Sequence, residues 1–94
     1  MENNIQNQNQ NIELPRQLNG LSQEQKRILG EFYDWQKNKQ WFKRAELIPL
    51  HPSHMKPTIE IYCSYNPVLE MKEIIQFASS HNIAIEIINS SNQG

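Results

Sequence analysis

Apolar and polar residues alternate over Thr58–Ser64. Ile59, Ile61 and Cys63 fall on one side and Thr58, Glu60 and Tyr62 on the other, the period of a half-buried strand. Val68, Met71, Ile74, Ile75 and Ala78 then recur at helical spacing. Beyond them Ile83, Ile85 and Ile87 alternate with Ala84 and Glu86. Asn66-Pro67 predicts the helix start, because an Asn side chain caps an orphan N–H and Pro at the first helical position gives up a donor with no partner. Ser79-Ser80-His81-Asn82 predicts its end, with Asn82 as the left-handed residue. Two strands joined by a helix of this length favour a parallel, right-handed crossover.

Upstream, Ser22-Gln23-Glu24-Gln25 has the form of a capping box. It opens a helix expected from about Gln23 to Asn38 or beyond, with Ile28, Leu29, Phe32 and Trp35 on one face. Phe42 joins that face if the helix continues so far. Gly30 falls on the opposite face, a tolerated defect costing about 1 kcal/mol relative to Ala. Glu46–Leu50 predicts a short edge strand, since Pro49 is confined to edges and bulges. Three prolines between 49 and 57 make the next stretch a loop. The fold class is therefore α+β, a two-layer α/β sandwich: an N-terminal helix, a short edge strand, then a β-α-β unit, with a small mixed sheet.

The expected domain spans residues 21–89. Residues 1–20 read as a disordered tail, Asn/Gln-rich over 1–11, with Ile12, Leu14 and Leu18 around Pro15 suited to dock as an extended arm over 12–18. Residues 90–94 read as a frayed polar tail.

Composition narrows the class. Of 94 residues 37% are hydrophobic, and a folded unit of roughly 70 to 75 residues is marginal alone, which favours a partner or a homo-oligomer. A formal net charge of −1 argues against a global polyanion binder, yet residues 1–45 hold seven Lys/Arg against five acids and residues 46–94 two against five. One cysteine excludes an internal disulfide framework and fits a reducing compartment. No apolar run approaches the roughly 18 residues of a membrane span, and the N-terminus lacks a charged-then-apolar secretion signal. The expectation is an intracellular, cytoplasmic protein without a membrane segment.

Candidate chemistry is sparse. Lys37-Asn38-Lys39-Gln40-Trp41-Phe42-Lys43-Arg44 places four of the nine basic residues in eight positions. If the helix persists, Lys37, Lys39, Trp41, Lys43 and Arg44 form a partner-binding surface, with the indole stacking on a base or anchoring a protein and the cations meeting phosphate. If it stops near Asn38, Trp41 and Phe42 turn into the core instead. Cys63, just before the expected helix start, is either a buried structural residue or a thiol activated by the helix N-terminus.

Ile61-Tyr62-Cys63-Ser64-Tyr65-Asn66-Pro67-Val68-Leu69, followed by an amphipathic helix and Asn82–Glu86, resembles the first strand–helix–strand unit of glutaredoxin-like proteins. The match is one of proline and apolar pattern over about a third of the chain. That family's Cys-Pro-x-Cys falls on Asn66-Pro67-Val68-Leu69, so both sulfurs are missing, as are the cis-proline and the later strands. The resemblance implies shared architecture and no redox chemistry.

His51 and His54 lack the paired spacing of a structural zinc site and read as solvated loop residues, so no metal and no cofactor are expected. Glu60 and Glu86 lie on the polar faces of the two main strands. Like charges side by side are unfavourable, so either another strand separates them or a cation, Lys43 or Arg44, shares their face. The function expected is a small non-catalytic interaction protein: an accessory subunit, adaptor or inhibitor. An RNA- or DNA-binding module over 37–44 is the alternative, and a thiol enzyme at Cys63 the second.

Overall fold

A computed structural model describes residues 12–89; of the expected tails, 1–20 and 90–94, all but 12–20 lies outside the described residues. Two helices, α1 (Gln23–Gln36) and α2 (Met71–Ser80), accompany three strands, β1 (Phe42–Ile48), β2 (Thr58–Cys63) and β3 (Ala84–Asn89). The sheet order is β1-β2-β3, with β1 antiparallel and β3 parallel to the central β2. The fold is α+β with a small mixed sheet.

Local chemistry explains most boundaries. Ser22 and Gln25 form the capping box, Gln25 N–H donating to Ser22 Oγ at 3.1 Å and Ser22 N–H to Gln25 Oε1 at 3.0 Å. The helix ends at Gln36, short of the expected Asn38. Lys39 N–H donates to Gln36 O and Phe42 N–H to Lys39 O, a pair of turns that swings Trp41 and Phe42 inward. Burying an aromatic of this size stabilises by roughly 1.5–3 kcal/mol, more than one or two further helical residues contribute.

The second helix starts later than its sequence suggests. Val68 N–H donates to Asn66 O and Glu70 N–H to Pro67 O, so a turn precedes Met71, and the N-cap residue is Glu70 without a side-chain cap. Its C-terminus follows expectation. Asn82 adopts φ 60°, Asn82 N–H donates to Ser79 O and Ile83 N–H to Ala78 O, the paired bonds of a Schellman motif.

A bulge sets the sheet face. Phe42 stands opposite Cys63 but Arg44 opposite Tyr62, so Lys43 is an extra residue on β1. The extra residue puts Phe42 on the same side as Ala45 and Leu47, toward the helices. These join Ile59, Ile61, Cys63, Ile74 and Ala78 in the core. Phe32 sits at its centre, with ring centroids 6.1 Å from Phe42 and 5.7 Å from Phe77, joining α1, α2 and the sheet.

The β1 edge is covered. Residues 13–17 run alongside it: Glu13 N–H donates to the carbonyl of the bulged Lys43 at 2.7 Å, and the Glu46 carboxylate accepts from the N–H groups of Arg16 and Gln17. The Tyr33 hydroxyl accepts from Ala45 N–H and donates to Glu13 O at 2.6 Å, tying helix, arm and strand together.

Candidate functional site

The basic-aromatic stretch does not form one surface. With the helix ended at Gln36, Trp41 is 3% exposed and Arg44 9%. Arg44 lies over the Tyr62 ring, 3.9 Å from its centroid, and pairs with Glu46. Lys37 and Lys39 are exposed and Lys43 half-buried, with Lys37 near Asp34 and Lys39 near Glu70. The expected face of five residues is thus divided between core and surface, because burial of the two aromatics outweighs continuation of the helix. Among the described residues the buried Gln36 amide and Trp41 indole N–H find no hydrogen-bond partner, which costs stability at this junction.

The open sheet face holds the charge cluster. Glu46, Glu60 and Glu86 stand side by side across β1, β2 and β3 in one register row. No strand separates Glu60 from Glu86, and of the two cations expected on their face Arg44 is there, paired with Glu46 in the same row and lying over Tyr62. Glu60 and Glu86 themselves are met by the loop histidines. His51 Nε2 lies 2.8 Å from Glu60 Oε2 and His54 Nε2 lies 2.8 Å from Glu86 Oε1. Tyr62 also donates to Glu60 at 3.0 Å.

His51 is only 7% exposed. Ser53 N–H donates to its Nδ1 at 3.0 Å, which fixes the ring proton on Nε2, facing Glu60. His51 is therefore a buried tie holding the 49–57 loop to the sheet rather than a solvated residue, while His54 is exposed, as expected of a loop histidine, and still reaches Glu86. His-x-x-His opposite two strand glutamates was the sequence signal for them. Among the described residues no group of three or more His, Cys, Asp or Glu is arranged to hold a metal ion.

Cys63 is fully buried, its Sγ 3.5 Å from Ile61 O. Burial pushes the thiol up to about 12, opposite to the shift a nucleophile needs. The late start of α2 also removes the helix N-terminus that was expected next to it.

That late start has a second effect. Val68, expected in the buried helical stripe, falls in the turn together with Leu69, and the two are 74% and 90% exposed. Tyr65 and Ile75 are exposed as well. Beside them a groove of about 370 Å³ is lined by Asn66, Pro67, Val68, Met71 and Ile87. A second, of about 380 Å³, lies farther along β3 among Ile75, Ala78, Ile83 and Ile85, with His54 and Lys56 at its rim. The α2–β3 side thus carries a run of aliphatic side chains that the fold itself does not cover. No described helix is long and apolar enough to cross a membrane. Comparison with family models, curated proteins and solved structures finds no match for this chain.

Proposed function

We propose that this chain is a small non-catalytic interaction protein, an accessory subunit, adaptor or inhibitor of the cytoplasm, and that it binds another protein through its α2–β3 side. The observation that carries this reading is the exposure of Val68 and Leu69 beside an apolar groove. An exposed apolar patch bordered by polar residues marks a protein contact more often than a solvated surface. Support also comes from the small core, which gains from a partner. Protein is favoured over RNA or DNA as that partner because the Trp41 ring is buried and offers no face for base stacking.

Purification of the full chain from its native cell tests this, with both bound protein and bound nucleic acid analysed. The expected result is a protein partner retained by a Lys37→Glu/Lys39→Glu variant and lost from Val68→Glu/Leu69→Glu. Retention of the partner by the latter, or recovery of nucleic acid that moderate salt removes, contradicts it.

A further inference from the structure

The two edges of the sheet are treated differently. On β1 the outward Lys43 carbonyl and Ala45 N–H are taken up by Glu13 and Tyr33. On β3, Ala84 N–H donates inward to Pro57 O. Backbone direction alternates along a strand, so Glu86 and Ile88 also bond toward β2, while Ile85 and Ile87 turn their N–H and C=O groups outward. Neither has an outward hydrogen bond among the described residues. An unpaired edge is a template for another strand, and chains commonly blunt it. Among the described residues only the β1 edge is blunted.

The grooves lie along the other. One sits at Ile87 against Val68 and Met71, the other at Ile85 against Ile75 and Ala78. Ile85 and Ile87 are two residues apart, about 7 Å along a strand. Alternate side chains of an added strand have the same spacing, so residues i and i+2 of one extended segment reach the two grooves together.

The edge strand itself carries an acid. Glu86 stands on β3 and Glu73 on α2, with Glu70 at the helix cap near Lys39 and Lys56 at the rim of the second groove. A second copy of β3 would bring another Glu86 to the same edge, whereas a basic segment complements it.

From these observations, and resting on the reading above of a protein-binding α2–β3 side, we infer that the occupant is an extended segment of a partner protein that adds to the β3 edge as a fourth strand. Its aliphatic residues recur at every second position and enter the two grooves, and Lys or Arg between them face Glu86. Main-chain bonds to Ile85 and Ile87 supply affinity and the grooves supply specificity.

Selection of a displayed random dodecapeptide library on the full chain tests this, followed by synthesis of the enriched peptide. The expected sequences alternate Val, Ile or Leu with Lys or Arg. N-methylation at one alternate set of the peptide's amides weakens binding at least tenfold, while methylation of the other set leaves it within twofold. Val68→Glu, at a solvent-facing position, weakens it tenfold without altering the melting temperature. Enriched peptides indifferent to both methylation sets and to Val68→Glu overturn strand addition while leaving a protein-binding role intact. Self-association that protects the Ile85 and Ile87 amides overturns the foreign occupant in favour of a second copy. Absence of any enriched peptide from a monomeric chain overturns strand addition and the broader reading together.

Discussion

Gly30 and Cys63 illustrate how single residues carry opposite constraints in this chain. Gly30 lies on the exposed face of α1, and a methyl group added there meets nothing within 4 Å. Gly30→Ala is expected to raise stability by about 0.5–1 kcal/mol through the helix propensity term alone, read as a higher urea midpoint with an unchanged slope. Cys63 has no such freedom. Its thiol is held protonated by burial, up to about 12 in the fold, against about 8.5 in an unfolded chain. A raised folded value means that stability is fully present below about pH 8.5 and is lost as pH climbs toward 12, by up to about 1.4 kcal/mol per pH unit. Tyr33 and Tyr62, also raised chiefly by burial, act in the same direction. Urea titrations at pH 7, 9 and 10.5 should therefore show falling stability, with a shallower fall in Cys63→Ala. Alkylation of the native thiol at pH 7.5 as fast as in an unfolded peptide would contradict the buried assignment.

At the scale of elements, the loop 49–57 is fastened by two histidine–glutamate bonds of unequal burial. His51→Ala leaves Glu60 with Tyr62 alone in a largely buried setting and is expected to cost about 1–3 kcal/mol. His54→Ala, at a more solvated pair, is expected to cost less than about 1 kcal/mol. Thermal melts of the two variants check the order, and equal losses would contradict it. The same elements mark what was legible in the sequence. The β2–α2–β3 unit, the Ser22 capping box and the Asn82 C-terminus were readable because each rests on local spacing. The start of α2 was not: Asn66-Pro67 has the right cap chemistry, but Pro67 is buried and the chain takes one more turn before Met71. The bulge at Lys43 was hidden as well, since it exists to bring Phe42 to the core side, a tertiary demand invisible to alternation. The candidate site depends on both of these tertiary choices. Trp41 was drawn inward, and Val68 and Leu69 were left outside.

The whole molecule is a three-stranded sheet with one face under two helices, one edge under its own N-terminal arm and one edge free among the described residues. Arm, Tyr33 and bulge cooperate at β1, and the surface proposed for recognition is the opposite side, where helix and strand leave aliphatic residues in water. That asymmetry is the central claim. Amide hydrogen exchange on the dilute, partner-free chain tests it most directly, because backbone direction alternates along β3. The prediction is that Glu86 and Ile88 exchange slowly, as does Ala45 on the covered edge, while Ile85 and Ile87 exchange at least a hundredfold faster. Protection of Ile85 and Ile87 equal to that of Ala45 in the monomer would mean that the edge is already occupied, and would contradict the account.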